Sequence, residues 1–208
     1  MKALLKSIED LKESTVKDLI DTRLREFKEI GDASNKEIFK ELCFCILTAH
    51  YNAERSVKMQ KLMGDDFLTL PKAQLAEKLK RLGHRYPDAR AKYIIAAREY
   101  KNSMREIIDK FNNDNKLRDW FAKNIKGIGY KEASHFLRNI GYSDFAIIDF
   151  HILNVLAKHG LIEKPKTLTR KRYLEIEDLM KRIAKKAKLT LAELDLYLWY
   201  TETDKVLK

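Results

Sequence analysis

Residues that interrupt helices are scarce in this chain: seven glycines and three prolines among 208 residues. Strand-like alternation of apolar and polar positions is equally hard to find, so the pattern is helical almost throughout. Only two cysteines occur, Cys43 and Cys45. One residue apart on a helix, they point to different sides and cannot pair with each other. Nor can two thiols supply the ligand set of a structural zinc site or an iron–sulfur cluster. They are expected to be buried as small hydrophobes, and no metal or other cofactor is expected. No stretch approaches the roughly 20 uncharged apolar residues needed to span a bilayer. The opening Met1-Lys2-Ala3-Leu4-Leu5-Lys6 has no apolar run of the kind a secretory signal needs. A soluble, intracellular (cytoplasmic) protein with no membrane association is expected.

Charge is abundant and unbalanced. Lys and Arg outnumber Asp and Glu by 42 to 31, a net charge of +11. That excess suits a polyanionic partner, because every phosphate neutralised releases condensed counterions. A heavily charged, solvated helical surface with a basic bias explains it equally well. Clusters such as Arg170-Lys171-Arg172 and Lys185-Lys186 decide nothing, since such runs usually lie on exposed helix faces. Hydrophobic residues make up 45% of the chain, enough for one domain or two closely packed lobes with a substantial core.

Along the chain, Val16, Leu19, Ile20, Leu24 and Phe27 form one stripe of a helix ending near Gly31. Ser34-Asn35-Lys36-Glu37 reads as a capping box that opens a strongly apolar helix through Phe39, Leu42, Cys43, Ile46 and Leu47, stopping around 49–52. Further helices are expected at about 53–63, 72–82 and 87–103, with Pro71 and Pro87 in first-turn positions. A helix through Leu117, Trp120, Phe121 and Ile125 runs into a glycine-containing turn, and the next one ends at Gly141. Asp149 opens a helix reaching Gly160. Helices at about 171–187 and 190–200 finish the chain, the last behind a second capping box, Thr190-Leu191-Ala192-Glu193. The fold class is all-α.

The informative segment is Ile125-Lys126-Gly127-Ile128-Gly129-Tyr130-Lys131. Two glycines flank one apolar residue between two helical patterns. Glycine permits a tight reversal with positive φ and lets another group approach the backbone. N–H groups at the start of the second helix attract phosphate, while Ile128 plugs the hairpin into the core. An ordinary glycine stop followed by a new helix fits the same spacing.

Lys131 stands in the first turn of that second helix, where the dipole disfavours a cation. Combined with partial burial, the same field yields more neutral amine, able to attack a sugar carbon or form a Schiff base. One solvated lysine among many is the plain alternative. Asp149 follows the apolar run Ala146-Ile147-Ile148 and is expected to cap the next helix. A carboxylate there can also stabilise an oxocarbenium-like sugar.

Hairpin, lysine and aspartate together resemble the helix–hairpin–helix-GPD superfamily of base-excision DNA glycosylases, over about residue 36 to the end. Lys126 stands where proline is common in that motif. The resemblance implies that Lys131 and Asp149 are catalytic, that the lysine makes the enzyme a glycosylase with AP-lyase activity, and that His151 lies beside a DNA phosphate. It implies backbone contact to DNA from Gly127, Ile128, Gly129 and Tyr130. The iron–sulfur branches carry four cysteines after the catalytic aspartate, whereas this chain has none there. The short all-helical chain ending in lysine is similar to the archaeal-type 8-oxoguanine DNA glycosylases, although Asp204 stands where a small residue is expected.

That likeness implies two helical lobes with a DNA-binding cleft between them, at about 36–125 and at 1–35 with 131–208, and the hairpin 126–130 at their junction. The implied partner is double-stranded DNA containing 8-oxoguanine, bound by a monomer. Lys208 is expected to reach the base pocket, where a carboxylate acceptor aimed at N7 distinguishes the lesion from guanine. Trp199 stands either as a stacking surface for the flipped base or as a core tryptophan. His135, one turn after Lys131, is a further pocket candidate. Flipping leaves a gap to be filled. His50 and Asn52 in one loop, with Tyr51 between them, and Arg85 and Tyr86 in another are the candidates. Three rivals remain: a related glycosylase for oxidised pyrimidine or alkylated purine, a non-catalytic helix–hairpin–helix DNA-binding module, and a basic helical interaction protein.

Overall fold

The computed structural model describes residues 1–208, all-α as expected. In chain order the helices are α1 (Lys2–Lys12), α2 (Val16–Asp32), α3 (Asn35–Thr48), α4 (Ala53–Met63), α5 (Asp66–Thr69), α6 (Lys72–Arg81) and α7 (Pro87–Ala97). After a 3-10 turn at Arg98–Tyr100 come α8 (Met104–Asp109), α9 (Asp114–Asn124), α10 (Tyr130–Asn139), α11 (Phe150–Lys158), α12 (Arg170–Ala187) and α13 (Leu191–Thr203). None is long and apolar enough to cross a membrane. The chain forms two compact units, one of residues Ile30–Ile140 and one of Met1–Glu29 with Gly141–Lys208. The expected lobes divided the chain elsewhere. Residues 131–140 stay with the first unit because α10 packs on α3 and α9.

The 30–140 unit is built around α3. Ser34 caps it by accepting the Glu37 N–H, and Ile38, Phe39 and every residue from Glu41 to Thr48 are buried. A helix apolar on all sides belongs at the centre, and α4, α5, α7, α8 and α10 surround it. Cys43 and Cys45 lie fully buried there, not joined in a disulfide. The one acid inside, Glu41, accepts hydrogen bonds from Asn139 Nδ2 at 2.7 Å and Gln60 Nε2 at 3.0 Å. A buried carboxylate needs such partners to offset its desolvation.

Two expectations fail in this unit. The helix expected at 87–103 breaks after Ala97, with no glycine or proline to announce it. At the break Arg98 turns its guanidinium onto the carbonyls of Phe67 (2.8 Å) and Asp66 (3.1 Å), anchoring the 3-10 turn against α5. Pro71 sits at the N-cap of α6, whereas Pro87 does occupy the first turn of α7.

In the other unit α13 carries the core, with Leu191, Leu194, Leu196, Tyr197 and Leu198 buried. It packs on α1, α11 and α12. Its capping box is complete: Glu193 N–H donates to Thr190 Oγ1, and Thr190 N–H donates to Glu193 Oε2. Between α10 and α11 the chain runs non-helically through Phe145, Ala146, Ile147 and Ile148, all buried.

Gly31 does not end α2. A Cβ there would lie 2.2 Å from the carbonyl oxygen of Ile140. The glycine therefore permits close approach of two backbones. Gly31→Ala is expected to cost about 1–3 kcal/mol by overpacking, measured as a lower midpoint in urea with an unchanged m-value.

Candidate functional site

The segment joining α9 to α10 is a short hairpin between helices. Its two glycines are not equivalent. Gly127 has φ +88°, and a Cβ on it would lie 2.2 Å from a ring carbon of Tyr93 on α7. Gly129 has φ −106° and ψ −160°, ordinary extended backbone. A Cβ there would meet only the Glu132 carboxylate, at 3.5 Å. The fold thus demands glycine at 127 and does not demand it at 129. Ile125 and Ile128 are buried and anchor the turn. Behind it, wholly buried Arg118 on α9 stacks its guanidinium over Tyr130, 4.3 Å from the ring centre. Arg118 also donates to Ser134 Oγ (3.1 Å) and Asn115 Oδ1 (2.9 Å), and Ser134 Oγ donates to the Tyr130 carbonyl (2.9 Å). The first turn of α10 is therefore held from inside the unit.

Lys131 projects from that turn with its Nζ 3.2 Å from Glu132 Oε1. Glu132 Oε2 accepts the Gly129 N–H at 3.1 Å. Burial works against ionisation of this carboxyl. The Lys131 charge, the Gly129 N–H and its own N–H outweigh that and hold Glu132 below the usual carboxylate range. One turn on, His135 is buried with its ring edge-on to Phe44 at 5.5 Å.

The two candidate loops, 49–52 and 83–86, are braced against each other. Tyr51 donates its hydroxyl to the Gly83 carbonyl at 2.7 Å and stacks on His84 at 4.3 Å. Buried His84 bonds the Leu47 carbonyl through Nε2 (3.0 Å) and accepts the Tyr86 N–H at Nδ1 (3.0 Å), an arrangement that selects the Nε2–H tautomer. Arg90 on α7 donates to the Ala49 carbonyl. Its guanidinium lies 5.9 Å from the ring centres of both Tyr86 and Tyr93. His50 is exposed with φ +56°. Asn52 is spent partly on structure, capping α4 through the Arg55 N–H at 2.9 Å. Arg85 and Tyr86 are exposed and stacked, 5.1 Å apart.

The remaining candidates lie in the other unit. Asp149 caps α11, accepting the Ile152 N–H at 3.0 Å. The buried segment before it is satisfied by two side chains that sequence reasoning missed. Asp195 on α13 accepts the Ile147 N–H at 2.9 Å, and Tyr173 on α12 donates to the Ala146 carbonyl at 2.6 Å. Irregular backbone can be buried only with such partners. Phe150, next to Asp149, is 61% exposed and carries Lys164 Nζ over its ring at 3.9 Å. His151 meets Trp199 edge-on at 4.5 Å, and His151 Nδ1 and Trp199 Nε1 are both buried with no hydrogen-bond partner. Lys208 is partly buried.

The family of 8-oxoguanine DNA glycosylases with a helix–hairpin–helix matches residues 20–189. The chain is 55% identical to the 8-oxoguanine DNA glycosylase/AP lyase of Methanocaldococcus jannaschii, over 99% of both chains. To that of Korarchaeum cryptofilum it is 50% identical, over 99% of this chain and 98% of the relative. The chain belongs to the 8-oxoguanine DNA glycosylase family. In three dimensions it is similar to the Methanocaldococcus jannaschii 8-oxoguanine glycosylase/lyase solved with a 15mer DNA containing 8-oxoguanine. That match has a TM-score of 0.96 at 55% identity and covers 99% of this chain and 100% of the other.

Within this glycosylase fold, α9, the turn and α10 form the helix–hairpin–helix. Arg90 and Tyr93 are the residues that sequence reasoning overlooked here. Three positions apart on α7, they share one face of it; one holds the 49–52 loop, the other covers Gly127. Their polar character inside an otherwise apolar helical stripe was the available signal.

Gly127→Ala is expected to lose at least about 1–2 kcal/mol through the left-handed backbone alone, with the Tyr93 clash added. Gly129→Ala should lose less than about 1 kcal/mol, the cost of alanine at an N-cap. Denaturant melts of the two variants give the comparison, and equal losses would contradict the assignment. His84 supplies a pH test. Burial, reinforced by Arg90, lowers its pKa below 6.5 despite the Leu47 carbonyl. A group depressed in the native state contributes stability that is full above 6.5 and fades as pH drops toward the native value. Melting temperature should therefore fall below that pH in the natural protein, and fall less in His84→Gln.

Proposed function

We propose that this protein is a bifunctional base-excision repair enzyme that removes 8-oxoguanine from double-stranded DNA, with Lys131 as nucleophile and Asp149 as the assisting carboxylate. It acts as a monomer inside the cell. The observation that carries the site assignment is Gly129. The fold does not require a glycine there, yet one stands at the start of the helix that carries Lys131. A bare Cα beside first-turn amides suits close approach by a phosphate, and a net charge of +11 suits a duplex. Gly127, Ile128, Gly129 and Tyr130 supply the backbone contact, and His151 supplies a second.

The base is extruded and read by Trp199, Lys208 and His135. The shielded indole N–H of Trp199, lacking any partner in the protein, supports a polar ligand there. His50, Asn52, Arg85 and Tyr86 lie on the two loops braced by His84 and fill the space left in the stack. Neutral Lys131 Nζ bonds to C1′ as the bond from C1′ to the base breaks. The base leaves with the electron pair and takes up a proton. Asp149 stabilises the positive charge that develops on the sugar. Opening of the sugar ring gives an imine, and loss of a C2′ proton then expels the 3′ phosphate by β-elimination. No cofactor enters any step.

Borohydride trapping on an 8-oxoguanine duplex tests the roles. Lys131→Gln is expected to abolish the covalent adduct while still binding DNA. Asp149→Asn, which keeps the helix cap, should slow adduct formation by about a hundredfold or more. An adduct that survives Lys131→Gln refutes the nucleophile.

A further inference from the structure

Neighbouring residues on a helix point about 100° apart and do not normally face each other. Lys131 and Glu132 nonetheless form an ion pair, Nζ to Oε1 at 3.2 Å, with the Glu132 side chain only 12% exposed. The pair exists because Glu132 folds back over the first turn to accept the Gly129 N–H at 3.1 Å through its other oxygen. Each carboxylate oxygen thus has its own partner, one on the hairpin backbone and one on the amine. Gly129 has no side chain to return the bond, so this is half of a capping box, and the other half is replaced by a lysine.

We infer that Glu132 is the positioning residue for the Lys131 amine, its carboxylate linking the Gly129 amide to Nζ. This rests on Lys131 being the nucleophile. A lysine stem has four rotatable bonds, and an amine roaming over them loses most of its encounters with one sugar carbon. A carboxylate itself tied to the hairpin limits that roaming. Whatever sets the position of the hairpin then also sets the position of the amine.

The surroundings keep Glu132 ionised for this task. From α7, buried Arg90 acts on it through its charge. From α9, Arg118 faces the same turn but is committed to Tyr130, Ser134 and Asn115. From α3, the acid that meets α10 is Glu41, bound to Asn139 at the far end of the helix. The carboxylate therefore stays ionised and acts as an acceptor.

The test is single-turnover borohydride trapping on an 8-oxoguanine duplex across pH, with Glu132→Ala and Glu132→Gln. Melting temperature and duplex affinity are measured on the same proteins. Alanine removes both links, and the plateau rate should fall about tenfold or more, with duplex affinity changed less than about threefold. Glutamine keeps one acceptor, enough for the Gly129 N–H, but turns a donor NH2 toward the amine, so its plateau should lie between those of alanine and the natural protein. It lacks the carboxylate's charge beside the amine, so its acid limb should move to lower pH. A purely structural cap predicts no such movement. Wild-type plateaus together with unmoved acid limbs in both variants overturn the proposal. If Glu132→Ala does not fold, the acid limb of Glu132→Gln decides by itself. Failure of the nucleophile assignment shows separately, as an adduct that persists in Lys131→Gln.

Discussion

The contact on which the 30–140 unit's site depends is the ring of Tyr93 lying where a side chain at residue 127 would be. Because Gly127 is bare, α7 can press an aromatic face onto the turn itself. With positive φ at that glycine, the chain reverses within five residues and delivers α10 at a fixed origin. Burial of Ile125 and Ile128 on either side secures the turn. From there the position of Lys131 follows, since it is the second residue of α10. One turn earlier on α7, Arg90 holds the Ala49 carbonyl, next to the left-handed His50. A single helix face therefore sets both the hairpin and the loop that is its counterpart in the same unit.

Buried polar groups do most of the positioning. Arg118, Glu41, Asp195 and Tyr173 are nearly or fully inaccessible, and each is bonded to backbone or to another side chain. Such groups are poor sources of net stability, because desolvation offsets most of what their partners return. They are effective at excluding alternatives, since any shift leaves a charge or an amide unsatisfied. Asp195 and Tyr173 illustrate the point. They pin the irregular 145–148 segment that leads into Asp149, where regular hydrogen bonding is unavailable. His84 plays the corresponding part for the two exposed loops, using both ring nitrogens as a neutral imidazole.

Much of this was legible without coordinates. Helical periodicity, scarce breaks and two capping patterns marked the all-α class and most helix ends, because these signals are local: a cap needs only three following residues, and a stripe only a few turns. The same holds for the hairpin, whose glycines, apolar plug and following lysine are contiguous, and for Asp149, which does cap its helix. The break after Ala97 was not legible, because no glycine or proline marks it and the Arg98 side chain that anchors the turn bonds carbonyls some thirty residues away. Gly31 looked like a helix end, since its real constraint is the backbone at Ile140.

By itself, then, the order of residues determined most of the helices, where the reversal lies, and that a lysine follows it and an aspartate opens a later helix. Tertiary structure alone decided that one hairpin glycine is compulsory and the other is not. It also decided that α7 braces the site, that Asp195 and Tyr173 present the aspartate, and that Glu132 bridges the hairpin amide to the lysine. The physical reason is range. Propensity, capping and periodicity act between residues a few positions apart, whereas steric exclusion and the pairing of buried polar groups act between whatever the fold brings into contact.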